Sequence, residues 1–250
     1  MTALASSFHV RLLDQFELRI GGRVIPVTIG PQRLVTFLAL HNRVLQRGQV
    51  AGTLWPDVPV DRANANLRAS IWRMPAACRP IIDLSSRHIK LGAEVSIDLT
   101  AAVALAQRLL DRSGSCQDAD LGGDARSMLS ADLLPACYED WALVECERFH
   151  QLRLHALEAL CERLTAAERY GEAIDAGLAA VNGEPLRESS HRALIKAHIA
   201  EGNFAEARRQ YELYRRIVRD ELGIEPSVGL RSLMLAALRP RPPVSVAAIR

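Results

Sequence analysis

The sequence predicts an α+β protein with two regions: a mixed N-terminal region of about one hundred residues, then an all-α region extending to about residue 238. Three observations predict this fold. Apolar and polar residues alternate near the N-terminus, as they do in half-buried strands. From residue 133 onward, apolar residues recur with helical spacing. A segment of that helical region repeats after 34 residues, as in proteins built from stacked helix pairs.

Composition fits a folded protein of two domains. The chain has 250 residues, 49% of them apolar and 24% charged, which is enough for a sizeable core. No apolar run is long enough to cross a bilayer and no signal-peptide pattern opens the chain. We therefore expect a cytoplasmic protein that has no membrane partner. The five cysteines are scattered without a Cys-x-x-Cys pair, which favours reduced thiols over disulfides or a zinc site.

The N-terminal region is predicted to contain strands, three helices and a hairpin. Gly21-Gly22 supplies a tight turn between the first strands. The first helix opens around Pro31, where a missing N–H costs little, and the second lies near "GQVAGTLW". The third helix follows Pro59, with Asp61 as its predicted N-cap. The segments "IIDLSSRHIKL" and "EVSID" are then expected to pair with each other as a hairpin.

The third helix carries an unusual surface. One sector of its helical wheel is apolar and is expected to face the core: Ala63, Leu67, Ile71 and Met74. The predicted far side is polar: Arg62, Asn66 and Arg73, with Arg68 on one flank. Arginine can bond guanine and asparagine can bond adenine in a major groove. The alternative is an ordinary solvated surface, but asparagine is a poor helix former, which favours recognition.

The charge distribution also indicates that the N-terminal region is the part of the chain that binds a partner. Residues 1–100 contain twelve Lys and Arg against seven Asp and Glu, whereas residues 101–250 contain 19 against 22. An anionic partner is therefore expected to meet the N-terminal region.

The run "LWPDVPVDRANANLRASIWRM" at residues 54–74, preceded by strands and followed by "SSRHIKL", resembles the winged helix-turn-helix output domain of OmpR-type regulators. It looks most like the version in the SARP family of actinobacterial antibiotic-pathway activators. The resemblance implies a recognition helix at residues 60–74, a wing at 85–90, and a loop at 55–59 before recognition. Pro75 departs from the pattern, so the helix is expected to end there with weaker phosphate contacts beyond it. No receiver domain precedes the winged helix, so a two-component response regulator is not expected.

The resemblance also implies which residues bind. On the recognition helix, the expected DNA contacts are Arg62, Asn64, Asn66, Arg68 and Arg73. On the wing, the residues expected to reach a minor groove or phosphates are Ser85, Ser86, Arg87, His88 and Lys90. Further candidates for contacts to the DNA backbone are Arg33 and Arg47. The loop residues expected to face RNA polymerase are Trp55, Asp57 and Val58.

In the helical region, a segment starting at Leu160 aligns with another starting at Leu194 at a constant offset of 34 residues. The aligned pairs include Tyr170 with Phe204, Glu172 with Glu206, Ala173 with Ala207, and Ala166 with Ala200. This is the tetratricopeptide period, with small residues where paired helices cross. The region resembles the bacterial transcriptional activation domain of the SARP family, which mediates dimerisation. We therefore expect domains at residues 1–98 and 99–238, followed by a Pro-rich disordered tail at 239–250.

By this resemblance, the protein is expected to activate transcription of a secondary-metabolite (antibiotic) gene cluster. It would bind direct repeats in double-stranded DNA near promoters as a homodimer, and would recruit RNA polymerase with its sigma factor. Two alternatives stay open. One is an adaptor whose winged helix docks protein, and the other is a regulator gated by a small molecule in the repeat groove.

We expect no enzyme activity, metal or cofactor. Neither a Gly-x-x-x-x-Gly-Lys-[Ser/Thr] loop nor a Gly-x-Ser-x-Gly elbow occurs in the sequence. The sequence contains two Glu-x-x-His pairs, Glu147/His150 and Glu188/His191. A di-metal bundle site would also need two further glutamates from other helices aimed at the same point, so we do not expect these pairs to bind metal. The tryptophans are predicted to be packing anchors, with covering the wing as an alternative for the second: Trp55, Trp72 and Trp141.

Overall fold

The computed structural model describes residues 8–111 and 116–238. The predicted tail at residues 239–250 lies outside the described residues. The described residues form two compact units, one of residues 8–108 with Ser127–Arg153 and the other of residues 109–111 and 116–126 with residues 154–238. The predicted domain boundary after residue 98 falls within the first unit, and it stays a prediction.

The described residues contain seven strands and ten α-helices. The strands are β1 Phe8–Arg11, β2 Glu17–Ile20, β3 Arg23–Val24, β4 Leu45–Gln46, β5 Ile82–Leu84, β6 His88–Leu91 and β7 Val95–Ile97. The helices are α1 Ile29–His41, α2 Arg47–Leu54, α3 Val60–Trp72, α4 Asp98–Leu110, α5 Gly123–Ser130, α6 Asp140–Ala166, α7 Tyr170–Gly183, α8 Glu188–Glu201, α9 Phe204–Leu222 and α10 Val228–Ala237. Short 3-10 helices occupy Ala76–Ile81 and Asp118–Leu121.

The first unit contains two small sheets. One has the order β3-β2-β1-β7, and the other has the order β4-β6-β5. The turn between β2 and β3 is the predicted glycine pair, with φ of 54° at Gly21 and 82° at Gly22. Two consecutive positive φ values are what a tight hairpin turn of this kind requires, and glycine adopts them without steric cost.

The predicted pairing of "IIDLSSRHIKL" with "EVSID" is wrong. β5 and β6, both inside the first segment, form the antiparallel hairpin, with Asp83 opposite Lys90. The second segment is β7, which pairs in parallel with β1, so that Phe8 lies opposite Val95. The register of β7 is set by a strand nearly ninety residues earlier in the chain. A local pattern contains no information about a partner that distant.

Helix α3 begins immediately after Pro59, whose carbonyl accepts the N–H of Ala63. Asp61 is therefore not the N-cap, and that prediction is wrong. Its carboxylate lies in the first turn of the helix, where the helix dipole favours a negative charge. Arg73 caps the C-terminus, two residues before Pro75. The predicted end of the helix near that proline is confirmed, because a proline disfavours helical geometry in the residue before it.

Residues after the winged helix complete the first unit. The N–H of Asp14 donates to the carbonyl of Asp132 (2.7 Å), and the N–H of Leu134 donates to Leu12 (3.0 Å). The ring of Trp141 meets the ring of Phe37 edge-on, with 5.3 Å between their centroids. Residues 127–153 therefore share one hydrophobic core with the strands and with helices α1 to α3.

The second unit shows the 34-residue repeat in its backbone. Arg169 before α7 has φ −88° and ψ 62°, and Asn203 before α9 has φ −86° and ψ 63°. The residue before each has a positive φ, 58° at Glu168 and 91° at Gly202. Ala173, which matches Ala207 in the repeat, is fully buried like its partner. The repeat predicted from sequence is thus a repeat of turn geometry and helix crossing.

The helices of the second unit approach one another closely at small residues. A Cβ added to Gly177 of α7 would lie 3.1 Å from Cβ of Leu194 on α8. His191 of α8 is fully buried, bonds the carbonyl of Pro185 (2.9 Å) and lies against the ring of Tyr214 (4.4 Å).

Among the described helices, none is long and apolar enough to cross a membrane.

Candidate nucleic-acid interface

The most exposed row of α3 is not the predicted one. Asp61, Ala65, Arg68 and Trp72 are all exposed and lie within about 60° of one another on the helical wheel. Ser70 joins the buried side, where its hydroxyl comes within 3.1 Å of a Cβ built on Gly30 of α1. The close approach of α1 at that glycine places Ser70 on the side of α3 that faces the core. The exposed row is therefore centred on Ala65 and Arg68.

The predicted stripe forms one edge of this face. Arg62 and Arg73 are exposed, but Asn66 is only half-exposed because it lies toward the α1 side. Within residues 8–111 and 116–238, the guanidinium groups of Arg62, Arg68 and Arg73 have no hydrogen-bond or ion-pair partner. Three unpaired cations on one helix face attract polyanions more strongly than paired ones would, because no neighbouring carboxylate offsets their charge.

The β5–β6 hairpin supplies the predicted wing. The N–H of Ser85 donates to the carbonyl of His88 (3.0 Å), and the N–H of His88 donates to Oγ of Ser85 (3.0 Å). Ser85 therefore holds the turn, while Ser86 and Arg87 at its tip are exposed. Lys90 is held by an ion pair with Asp83 across the hairpin (3.3 Å).

A groove of about 570 Å³ separates the wing from α3 and the start of α2. It is lined by Gln46, Arg47, Gly48, Asn64, Arg68, Ser86, Arg87 and His88. Six of these were predicted as site residues from the sequence: Arg47, Asn64, Arg68, Ser86, Arg87 and His88. The lining contains three arginines and no carboxylate, so the groove is suited to an anion.

Arg47 joins α2 to the wing. Its Nη1 donates to the carbonyl of Ser85 (3.3 Å), and its backbone N–H donates to the carbonyl of Arg87 (2.9 Å). The pairing of β4 with β6 strengthens the same connection. The wing is therefore positioned by the residues that begin α2.

Arg33 has other partners. Its Nε lies 2.7 Å from Oε1 of Glu139, and its Nη2 donates to the carbonyl of Leu54 (2.9 Å). The guanidinium also lies 5.9 Å from the centroid of the Trp55 ring. These contacts hold the segment before α6 against α1 and the end of α2. They leave Arg33 poorly suited to bind phosphate.

The loop at residues 55–59 has one exposed acidic side chain, Asp57, between two partly buried apolar ones. Trp55 and Val58 pack against the hydrophobic core of the first unit, which fixes the loop. Trp141 also packs there, so the packing prediction is confirmed for two of the three tryptophans. It is wrong for Trp72, which is 75% exposed.

The Glu188/His191 pair takes part in contacts within the second unit. Glu188 accepts the N–H of Ser227 (2.8 Å) and pairs with Arg192. Burial lowers the pKa of His191 below its ordinary value, and its Nδ1 accepts a hydrogen bond from Gln210 (2.8 Å). In the described part of the chain, no group of three or more His, Cys, Asp or Glu side chains is arranged to hold a metal.

Sequence reasoning missed three residues of this surface. Gln46 and Gly48 line the groove at the start of α2, and Trp72 ends the exposed row of α3. Trp72 lies seven residues after Ala65 and four after Arg68, and this helical spacing already places it on their row. The signal for the other two appears only once the wing is paired with β4.

Comparison with known proteins agrees with this architecture. The family described as the bacterial transcriptional activator domain matches residues 97–238. The regulatory protein AfsR of Streptomyces coelicolor is 27% identical over 215 residues, which cover 84% of this chain and 22% of AfsR. The AfsR protein of Streptomyces griseus is 25% identical over 211 residues, covering 82% and 22%. The chain thus spans about a fifth of the length of these relatives.

A solved structure shows the same fold. It is Mycobacterium tuberculosis EmbR in complex with a low-affinity phosphopeptide, which superposes with a TM-score of 0.69 at 21% identity. The match covers 95% of this chain and 66% of the EmbR chain. The family match spans more than half of the chain, and both AfsR relatives are regulatory proteins. The chain therefore belongs to the SARP family of transcriptional activators.

Proposed function

We propose that this transcription regulator reads double-stranded DNA with α3 in the major groove, while the wing meets the adjacent backbone or minor groove. One observation carries the proposal: the groove between α2, α3 and the wing has three arginines and no carboxylate in its lining. An α-helix is about 10–12 Å in diameter with its side chains, so α3 fits a major groove about 12 Å wide. The proposed contacts to bases are Arg68 and Asn64, with Arg62, Arg73 and Asn66 along the other edge.

The remaining contacts are proposed to be with phosphate. Arg47 and Arg87 flank the groove, with Ser86 and His88 beside them. Ser85 acts by holding the turn. Lys90 is a weaker candidate, because its ammonium is already paired with Asp83 and that carboxylate offsets its charge. Arg33 is not retained, since its guanidinium is already bound by Glu139 and Leu54.

We further propose that the protein activates promoters of a secondary-metabolite gene cluster, bound as a homodimer at direct repeats. The exposed Asp57, on a loop that the core holds in place, is the proposed contact to RNA polymerase and its sigma factor, with Trp55 and Val58 supporting it. The similarity to AfsR supports a regulatory role. The proposed location is the cytoplasm, at the nucleoid.

The test begins with selection of genomic DNA fragments by the purified chain, followed by anisotropy titration of enriched duplexes at several salt concentrations. Phosphate neutralisation makes log K fall with log salt, by about 0.9 per phosphate contacted. Arg68→Ala should weaken binding to the selected site by about 1–3 kcal/mol. The matched control is Arg148→Ala, which removes an 80% exposed arginine on α6 outside the groove.

Two outcomes would contradict the proposal. If no fragments are enriched and binding does not depend on salt, the winged helix docks protein, as the adaptor alternative holds. If Arg148→Ala weakens binding as much as Arg68→Ala, the loss reflects total charge rather than the α3 face.

A further inference from the structure

Trp72 is exposed where an aromatic side chain is costly. It is 75% exposed, whereas the other two tryptophans pack against the core of the first unit. Tryptophan has a large apolar surface that proteins normally bury on folding or on binding a partner. Such a side chain at the end of the most exposed row of α3 therefore requires an explanation.

The position of Trp72 relative to Arg68 defines what it can reach. The two residues are four apart on the same face, which corresponds to about 6 Å along the helix axis. Base pairs are separated by about 3.4 Å along the duplex axis, so this distance spans at most about two base-pair steps. Ala65, which precedes Arg68 in the row, is too small to hold the helix away from the base edges.

The surroundings of Trp72 suit it to lie over DNA. Arg73 follows it and is exposed, and Arg79 donates from Nη2 to the carbonyl of Trp72 (3.3 Å). The C-terminal end of α3 therefore carries two exposed arginines, Arg73 and Arg79, which suit it to an anionic partner. The indole itself is apolar over most of its surface. In the major groove the apolar feature of the base edges is the C5-methyl group of thymine.

We infer that Trp72 is a specificity-determining residue that packs on the C5-methyl group of a thymine about two base pairs from the base bonded by Arg68. This inference rests on the proposed function. The C-terminal end of α3, which stops before Pro75, would then read DNA sequence through an apolar contact rather than through an arginine.

The test uses a duplex of about 30 base pairs enriched from a randomised library by the unaltered chain. Thymines are replaced one at a time by deoxyuridine, which removes the methyl group and leaves every hydrogen bond in place. At one thymine we expect affinity to fall about fourfold, the equivalent of one buried methyl group. Trp72→Ala should weaken binding to the original duplex about tenfold and should be insensitive to deoxyuridine at that thymine.

A second variant separates apolar contact from general disruption. Trp72→Leu keeps an apolar side chain and should retain some of the sensitivity to the methyl group, whereas Trp72→Ala should lose it. Because the side chain is mostly exposed, both variants should melt at the temperature of the unaltered chain. Equal deoxyuridine sensitivity in the unaltered chain and in Trp72→Ala would overturn the inference.

The outcome also distinguishes this inference from the proposed function. If Arg68→Ala weakens binding and Trp72→Ala does not, the α3 face reads DNA and only the role of Trp72 is wrong. If the unaltered chain enriches no sequence at all, the proposed function fails together with the inference. If Trp72→Ala instead changes only self-association, measured by sedimentation, the residue belongs to a protein interface and the inference is overturned.

Discussion

The arginines of α3 and those of the second unit have the same chemistry and opposite surroundings. In the second unit, most of the described arginines have a carboxylate partner, among them Arg187 with Glu158, Arg192 with Glu188, Arg169 with Glu172, Arg209 with Glu206, and Arg215 with Glu225. On α3, within the described residues, Arg62, Arg68 and Arg73 have no partner.

This difference separates arginines that stabilise the fold from arginines available to a ligand. Burial alone would raise the pKa of Glu158, but hydrogen bonds from Arg187 and two serine hydroxyls hold that pKa below its ordinary value. The charge of Arg187 is therefore offset by a carboxylate within the second unit. The α3 cations are solvated and uncompensated, so their removal should affect binding and leave stability nearly unchanged.

The largest expected effect comes from removing the polar face of α3. Replacing Arg62, Asn66, Arg68 and Arg73 together by Ala should weaken binding to the selected DNA by more than about a hundredfold. Anisotropy titration measures the loss, and the melting temperature should stay close to that of the unaltered chain. A variant that melts much earlier would show that these side chains stabilise the fold, and the comparison between the two sets of arginines would fail.

Glu158→Gln should lower stability and leave DNA binding unchanged, the reverse of what we expect for the α3 variant. The carboxylate is 13% exposed and accepts hydrogen bonds from Arg187 (2.8 Å), Ser189 (2.6 Å) and Ser190 (2.8 Å). Losing its charge leaves Arg187 without its carboxylate, which should lower the free energy of unfolding by about 2–3 kcal/mol. Urea denaturation measures this loss, and DNA affinity should not change.

Glu206→Gln is the matched control for that experiment. Glu206 pairs with Arg209 at 3.0 Å, but both side chains are well exposed. An exposed pair of this kind contributes about 0–1 kcal/mol. Similar losses in the two variants would contradict the view that burial of Glu158 makes its pairing important.

Gly177→Ala tests the close crossing of α7 and α8. The added methyl group would lie 3.1 Å from Cβ and Cδ1 of Leu194 and 3.3 Å from Sγ of Cys161. Overpacking of a tight core should lower the free energy of unfolding by about 1–2 kcal/mol. Gly171 of the same helix has open space around it, so Gly171→Ala should be neutral or slightly stabilising. Equal effects of the two alanines in urea denaturation would show that the crossing tolerates a methyl group.

The smallest expected effect is a pH dependence within the second unit. Burial lowers the pKa of His191, and likewise that of His198, below the unfolded value near 6.5. The unfolded chain therefore binds more protons as pH falls through that value, and stability is lost in the same direction. Urea denaturation at pH 7.5 and 5.5 should show lower stability at 5.5.

His191→Gln should reduce that difference in stability between the two pH values, with His198 supplying what remains. The carboxylates with lowered pKa values act in a separate window, because their contribution is lost only as pH falls below about 4.5. An unchanged difference between pH 7.5 and 5.5 in the variant would show that protonation of His191 does not limit stability there.

The sequence predicted much of the site because that information is local. Helix α3 shows its core face as a three- and four-residue spacing, and six of the eight groove residues were predicted without a structure. The error of a fraction of a turn in its exposed row came from Ser70, a polar residue that is buried because Gly30 lets α1 approach it. The sequence could not show the contacts of Arg33 for a related reason, since its partner Glu139 lies more than one hundred residues away.

By itself, the sequence determined the features that depend on neighbours along the chain. These are the Gly21-Gly22 turn, the end of α3 before Pro75, the 34-residue repeat and membership of the family. Backbone dihedral preferences and helical periodicity act over a few residues, so a pattern in the chain is enough to reveal them. The tertiary structure alone decided the partner of β7, the surroundings of each arginine and the exposure of Trp72. Each of these features depends on groups brought together from distant positions in the chain. Packing and desolvation decide which of those groups pair, and the local sequence does not favour one pairing over another.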